Sequence, residues 1–503
     1  MSPHEKTQAF IKISEQFKLG HLITESFHPK TKHLSSIVKK DVASAHRLLQ
    51  EVDHDALEVM KTKKKELWEL AEQIKETLTN GNKIFMCGCG ATGRLSLVLE
   101  TLYRQKFGQT NQVVSFMAGG DYALIKSVES FEDKTEYGER QLMELGFGPE
   151  DLLLASTEGG ETAFVIGACQ KASQVSRRKP YFLYCNPDEV LKSIHRSQEV
   201  IENQNIKKIN LTVGPMAISG STRMQASTVL MLGIGAGLLY SHQNEESFND
   251  FYRDFLYRLT QTKYETLAPL TTLEAELYEN KTYLNYVTDP FLAISILTDT
   301  TERSPTFSLR PFENRLEPEA PHGLCYLFIP EAENSGHAWS ELLWRSPRPV
   351  EWPELDGRIN RERLFGFDIS NLGLKNRSQA IPAEAFSIMY KEGGVHFKCG
   401  NEEAHFYWGE DQLFNHLMVK MLLNSHSTLI MGLLGRYEGN VMTWVRPSNN
   451  KLIDRSARYI LQLLSQANIS VTYEDVVRRI FEEMEELDDN GPIVMKVVTS
   501  FKA

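Results

Sequence analysis

Apolar residues along this chain follow two patterns, and the switch between them falls near residue 80. From Asp41 to Asn80 they recur at helical spacing (Ala45, Leu48 and Leu49, then Leu67, Leu70, Ala71, Ile74 and Leu78), which predicts helices with one buried face. From Ile84 onward short continuous apolar runs take over: Ile84–Cys87, Val113–Met117, Leu152–Ser156, Tyr181–Cys185 and Ile209–Val213. Helical stretches lie between them, up to Arg104, near Thr135–Leu145 and over Thr162–Ala172, and a long helix runs from about Ser221 to Leu239. Continuous apolar strands alternating with helices predict a parallel, doubly wound α/β sheet covered on both faces.

The second half repeats this pattern loosely. Tyr283–Val287, Leu324–Ile329, Leu364–Phe367 and Val395–Lys398 read as strands, separated by longer polar connections such as the proline-bearing Ser346–Pro353. A helix from Gln412 to about Leu434 answers Ser221–Leu239, and Gln243–Thr272 is the predicted crossing between the halves. Lys451–Ser465 and Tyr473–Leu487 read as a helical tail. The expected units are a helical segment over 1–80, a first domain over 81–245, a linker helix and divergent second domain over 246–445, and a helical tail over 446–503.

Composition narrows the function classes. A chain of 503 residues leaves room for about two to four domains. A net charge of −11 argues against nucleic acid as a partner. The six cysteines show no C-x-x-C spacing, the pattern of reduced, buried thiols. Neither a signal-length apolar core near the start nor a membrane-spanning run occurs, so a soluble, cytoplasmic protein with no membrane partner is expected. The Lys61–Lys65 run reads as a solvated helix end.

Candidate chemistry concentrates in Lys83–Arg94, KIFMCGCGATGR: a strand, a turn with Gly88, Gly90 and Gly93, and a helix opening at Thr92. Glycines let backbone N–H groups approach an anion, and a helix N-terminus favours negative charge. Lys281–Glu302 keeps strand and helix but lacks the glycines, so only the first half can cradle a phosphate in this way. The turn also satisfies G-x-G-x-x-G, which points to a dinucleotide. The next strand, however, runs into Ala118-Gly119-Gly120-Asp121 with the acid late, and Thr92 and Arg94 suit a single phosphate better. A glycine turn that binds nothing stays open. Three further segments fall at the carboxyl ends of strands: Ala118–Glu132, with Glu129 and Glu132 one helical turn apart; Ser156–Thr162; and Gly220–Ser227 beside Arg223. Four such turns on one sheet edge predict a ligand site.

With these motifs in order, the chain resembles the N-acetylmuramic acid 6-phosphate etherases and the related glucokinase regulatory proteins. Gly88–Leu95 (GCGATGRL) is similar to the family's GxGTSGRL turn, Ala118–Asp133 to AGG(D/E)…ExxED, and Gly214–Ala226 to GxExxxGSSRMKxG. Thr24–Pro29 is a looser match to TE-x-x-NP, with His28 in place of asparagine. In the second half Thr298–Phe307 resembles LDASECPPTY and places Glu302 on the family's glutamate, where the first half has Leu102. Asn450–Arg455 resembles N-x-KLxxR, giving Lys451 and Arg455.

The resemblance implies two doubly wound parallel-sheet SIS (sugar isomerase) domains in a fused pseudo-dimer, with helical N-terminal and C-terminal segments. Family etherases are homodimers whose sites draw on both subunits, and here one composite site would be kept. It would use Glu132 and Glu302 as catalytic groups. Gly88, Gly90, Ala91, Thr92, Gly93, Arg94, Thr157, Gly159, Thr162, Ser221, Lys451 and Arg455 would hold the substrate. The implied reaction is loss of a lactyl ether from C3 of an amino-sugar 6-phosphate by β-elimination, with one carboxylate taking the C2 proton and another acid protonating the departing oxygen. Glu132 is the expected base and Glu302 the expected acid, with no metal or cofactor required. Glu129 reads as a salt-bridged structural residue.

The chain also departs from the etherase pattern. Where etherases have SGRT it has Gly159-Gly160-Glu161-Thr162. Glu158 and Glu161 would repel a phosphate unless they point away or pair with Arg94 or Arg223. Thr157 falls where the regulators have a phosphate-binding serine. A non-catalytic sugar-phosphate sensor with a sugar kinase partner is therefore the alternative, and an aldose–ketose isomerase the third reading. Against the sensor, only about fifty residues follow Lys451, short of the regulators' helical lid.

Overall fold

The computed structural model describes residues 2–108, 110–128, 131–447, 449–486 and 491–502, with Gln16 and Glu486 described by backbone alone. Glu129 lies outside the described residues, and so do residues 487–490, including the expected helix end at Leu487. In the first half, strands β1 (Ile84–Gly88), β2 (Val113–Met117), β3 (Leu152–Ser156), β4 (Tyr181–Tyr184) and β5 (Lys207–Asn210) form one parallel sheet of order β2-β1-β3-β4-β5. Every residue of β1, β2 and β3 is buried, as continuous apolar runs covered on both faces require. Helix α1 (Ala91–Phe107) follows β1, and α2 (Gln225–Tyr240) closes the domain. The fifth strand lies earlier than the expected Ile209–Val213. The regular helix begins at Gln225, four residues after Ser221, because Ser221–Met224 form the turn that enters it.

The second half repeats the strand order with a change of direction. Strands β6 (Tyr283–Thr288), β7 (Cys325–Phe328), β8 (Ala383–Lys391), β9 (Gly394–Cys399) and β10 (Glu402–Tyr407) stack as β10-β9-β8-β6-β7. Thus β7-β6-β8-β9-β10 answers β2-β1-β3-β4-β5. The β6 pairings with β7 and β8 are parallel, but β8–β9 and β9–β10 are antiparallel. Hairpins replace the helical crossovers of the first half, so this sheet is mixed where an all-parallel one was expected. Strands β8 and β10 alternate buried with exposed positions and carry no continuous apolar run. The expected strand at Leu364–Phe367 is instead the end of helix Arg361–Phe365, which Asn360 starts by accepting the Arg363 N–H.

Helices α3 (Ala293–Phe307) and α4 (Gln412–Leu433) are the second-half partners of α1 and α2. Helix α1 packs on α3 and α2 on α4, which defines a pseudo-twofold axis between the halves. Helix α2 is buried along its whole length, wedged among Lys64–Thr79, α1 and α4. Buried charges join the same interface: Arg223 Nη1 lies 3.1 Å from Asp299, and Arg303 bridges Asp299 to Glu274, with Nη1 2.7 Å from Glu274. The halves are one unit, not two bodies on a tether. Helix α5 (Asn450–Gln466) leads into the tail and packs on Tyr473–Glu486 and Ile493–Ser500. All six cysteines are free, and only Cys89 is half-exposed. Among the described residues no helix is long and apolar enough to cross a membrane.

Candidate functional site

A cavity of about 650 Å³ opens where the carboxyl ends of β1 and β3 face α3 and α5. Gly90 and Ala91 line it at the start of α1. Gly90 has φ +55°, and no atom lies within 4 Å of where a Cβ would stand, so its backbone is bare toward the cavity. The other two glycines do a different job. A Cβ on Gly88 would fall 2.4 Å from the Gly93 nitrogen, and one on Gly93 would fall 2.5 Å from the Met117 Cβ, so both permit strand–helix packing.

Thr92 and Thr157 also turn inward. Thr92 Oγ1 accepts the Cys89 N–H at 3.0 Å and donates to the Cys89 carbonyl at 2.9 Å. Thr157 Oγ1 lies 3.0 Å from Thr162 Oγ1 and accepts the Gly160 N–H. Gly88, Thr92, Gly93 and Thr157 therefore build the loops, while Gly90, Ala91, Arg94, Gly159, Thr162, Ser221, Lys451, Arg455, Glu132 and Glu302 reach the cavity.

Three of these present buried polar atoms without a partner: Glu302 Oε1, Ser221 Oγ and Arg94 Nε. Such orphans are rare in a folded interior and mark where a ligand's groups can be received. Arg94 spends its Nη2 on the carbonyls of Ala123 and Leu124, each 3.2 Å away. Burial raises the Glu302 carboxyl above its usual range, with Arg94, Arg223 and Lys420 pulling the other way. Burial likewise raises Glu132, which is half-exposed and sits 3.6 Å from Lys451 Nζ.

The α5 cations that line the cavity, Lys451 and Arg455, are already engaged. Lys451 Nζ lies 2.6 Å from Glu161 Oε1, and Arg196 Nη2 lies 2.6 Å from Glu161 Oε2. Burial alone would raise Glu161, but Lys451 and Arg196 overcome it and hold the carboxyl at about 2. Glu161 thus pairs with Lys451 and Arg196 rather than with Arg94 or Arg223; Arg223 goes to Asp299 instead. Arg455 Nε lies 3.0 Å from Glu25, which Arg455 and Arg458 keep at about 2 against its burial. Asn186 ties Thr24 to the third-strand loop, donating to Thr24 Oγ1 and to the Gly159 carbonyl, each at 3.0 Å.

Glu25, Glu158 and Arg196 were not among the expected site residues. The match at Thr24–Pro29 was the available signal for Glu25, whereas nothing local in the sequence marks Arg196 as the partner of Glu161.

A second cavity of about 550 Å³ is lined by Gln105, Lys106, Tyr240, Phe291, Tyr390 and Gln412, among others. It is the pseudo-symmetric counterpart of the first. Ile84 and Leu284 hold matching places in the two sheets, opposite Val113 and Cys325, so Asp289 stands where Cys89 stands and Phe291 where Ala91 does. Here the Asp289 carboxylate accepts the Leu292 N–H at 2.9 Å and the Tyr390 N–H at 2.6 Å. Pro290, which has no N–H, answers Gly90, and the Asp289 carboxylate holds two amides beside it.

Residues 66–173 match the family described as the glucokinase regulatory protein N-terminal SIS domain. The chain is 31% identical over 216 residues to an N-acetylmuramic acid 6-phosphate etherase of Gloeothece citriformis, covering 43% of this chain and 66% of that protein. It is 30% identical over 211 residues to the etherase of Salmonella agona, covering 42% and 66%. The chain thus spans just under two thirds of the length of these relatives. A tagatose-6-phosphate ketose/aldose isomerase from Escherichia coli is similar at a TM-score of 0.44 and 11% identity, over 78% of this chain and 93% of that one, too low to carry an argument. Two sheet-bearing halves make up the chain, and the match to the SIS domain family covers residues 66–173 of the first. The chain is related to the N-acetylmuramic acid 6-phosphate etherases, and its first half carries the regulator-type SIS domain.

Proposed function

We propose that this chain is a sugar-phosphate-binding lyase of the etherase type, acting on the lactyl ether of N-acetylmuramic acid 6-phosphate or a close amino-sugar relative. The observation that carries it is the buried Glu302 carboxyl, with one oxygen unpartnered, in the same cavity as Glu132 and the bare Gly90 turn. The phosphate sits against the Gly90–Ala91 amides and Ser221 Oγ. With the sugar ring open, Glu132 takes the C2 proton. The C3–O bond then breaks, and Glu302, whose burial favours the protonated form, gives its proton to the departing lactate oxygen. Water adds back to the unsaturated sugar. This chemistry asks for no metal or cofactor.

A second reading, a non-catalytic sugar-phosphate sensor, is favoured by the regulator-type family match and by the engagement of Lys451 with Glu161. A sugar kinase would then be the partner. Calorimetry with N-acetylmuramic acid 6-phosphate, glucosamine 6-phosphate and fructose 6-phosphate, alongside proton NMR for released lactate, separates the two. Lactate is expected. Binding without lactate supports the sensor, and no heat with any of the three removes both readings.

A further inference from the structure

We propose that Trp352, delivered by the second half, is a positioning residue for Glu132: its indole holds the Phe131 ring, and Phe131 sets where the next side chain enters the cavity. The catalytic consequence rests on the base role proposed for Glu132, whereas the placement itself stands on the packing.

Glu132 lies in a turn just before the helix Thr135–Glu144. The first half supplies one anchor: the Glu132 carbonyl accepts the Phe164 N–H at 3.1 Å. Phe164 is the second residue of the helix Ala163–Val175, so this N–H has no partner inside its own helix. One such bond fixes a point and not a direction. The second anchor is Phe131, which is buried although it directly precedes a half-exposed residue. Its ring stacks on Trp352, with centroids 5.6 Å and planes 14° apart, and meets Tyr137 at 4.8 Å. Tyr137 in turn meets Trp352 edge-on at 5.0 Å. These are the spacings of favourable aromatic pairs.

Trp352 belongs to a segment without helix or strand that follows the helix Ser335–Leu343 and crosses onto the first half. Buried ion pairs tie it down. Arg345 places Nη1 2.7 Å and Nη2 3.0 Å from the Asp121 carboxylate, and Nε 3.2 Å from Glu100. Arg348 puts Nη1 3.0 Å from Glu100, and its N–H donates to Asp121 at 2.6 Å. Val350 closes on Gly120, where a Cβ would fall 2.9 Å from its Cγ2. At the far end Trp352 Nε1 donates to Glu144 at 2.7 Å, and the Arg140 guanidinium lies 4.1 Å from the indole centroid. Buried, with its N–H bonded, the indole is a fixed surface on which Phe131 rests.

Phe131 and Glu132 are neighbours in one turn, so the backbone torsions that seat the ring also aim the carboxylate. A base must come within hydrogen-bond reach of the proton it takes, and a displacement of about 1 Å can cost about 10²-fold in rate. The proposed phosphate contacts, Gly90–Ala91 and Ser221, belong to other segments. Loss of the indole should therefore slow proton removal and leave binding nearly intact.

The experiment uses the whole chain with Trp352→Ala, Trp352→Phe, Phe131→Leu and the Trp352→Ala/Phe131→Leu double variant. Exchange of the C2 proton of N-acetylmuramic acid 6-phosphate with solvent deuterium gives kcat and KM. Trp352→Ala should lower kcat about 10²-fold at nearly the wild-type KM. Trp352→Phe should recover most of the loss, because a ring remains under Phe131. Phe131→Leu should behave like Trp352→Ala, and the double variant no worse than either, since both remove one contact. In protein labelled with 15N-phenylalanine, the Phe164 amide should exchange faster in Trp352→Ala and Phe131→Leu than in the wild type or Trp352→Phe. An unchanged kcat, a loss confined to KM, or losses that multiply in the double variant overturn the proposal. So does a Trp352→Phe no better than Trp352→Ala, which would assign the effect to the Glu144 hydrogen bond. Should Trp352→Ala not fold, Trp352→Leu takes its place. Absence of C2 exchange in the wild type removes the lyase reading, and the Phe164 amide then decides the placement alone: an amide that Trp352→Ala leaves unmoved overturns it.

Discussion

Lys451 Nζ sits 2.6 Å from Glu161 Oε1 and 3.6 Å from Glu132 Oε1, so one lysine from the C-terminal tail serves two carboxylates of the first half. Glu161 replaces a residue that is arginine in the etherase pattern. In this chain the residue there fixes Lys451. Glu161→Gln releases the lysine toward Glu132 and removes a like charge from beside it. Both changes lower the Glu132 pKa. In the lyase reading, the acidic limb of the pH–rate profile for lactate release moves to lower pH. An unmoved limb would mean that Glu132 is not the titrating base.

Acid should weaken the fold through identifiable groups. Glu25, Glu100, Glu161 and Glu274 are each held at about 2 by buried arginine, lysine or histidine partners that outweigh burial, against an ordinary value of 4.5. A depressed carboxylate adds stability above its unfolded pKa and loses it as pH falls toward the folded one. Urea unfolding should therefore show stability level above about pH 5 and declining from there to pH 2. At pH 7, Glu274→Gln should cost about 1.5–3 kcal/mol, because buried Arg303 keeps Asp299 but loses its second carboxylate.

The two acids of the cavity should separate in an isotope experiment. Glu302→Ala should stop lactate release yet leave exchange of the C2 proton with solvent deuterium, since base and aldehyde survive. Glu132→Ala should abolish both. Each loss is expected to be about 10²–10⁴-fold. Wild-type lactate release in Glu302→Ala would make that carboxyl structural.

Neighbouring glycines should fail in different ways. Gly93→Ala places a methyl 2.5 Å from the Met117 Cβ and should lower the unfolding midpoint, at about 1–3 kcal/mol for overpacking. Gly90→Ala meets no atom but must hold φ +55° and ψ −120°, a conformation that favours glycine, at about 1–3 kcal/mol. Its main effect should be on sugar-phosphate affinity. Calorimetry and thermal melts on the same two proteins check the contrast.

The sequence displayed the first domain far better than the second. Strands β1 to β3 are continuous apolar runs, and the structure puts them where the pattern placed them. Strand β9 falls on the expected Val395–Lys398, but β8 and β10 were missed because polar residues interleave with their buried positions, which breaks the run that marks a covered parallel strand. In the site, residue identity was visible but direction was not. Thr92 looked like a phosphate donor, yet its hydroxyl closes on the Cys89 backbone two ways. Gly93 looked like an anion cradle, yet its missing side chain makes room for Met117. Long-range pairs such as Arg455 with Glu25 join positions more than four hundred residues apart, and no local spacing announces them.

Asp289 changes what kind of binding curve this molecule can have. A symmetric dimer with two equal sites can let the first ligand alter the second, in either direction. Here the twin position is occupied by a carboxylate that the chain carries with it, bonded to the Leu292 and Tyr390 amides. Under the proposed sugar-phosphate reading, one chain is expected to take one ligand and to saturate along a simple hyperbola, without homotropic cooperativity in the monomer. Any steeper response to sugar phosphate would have to come from a second chain or from a different kind of ligand.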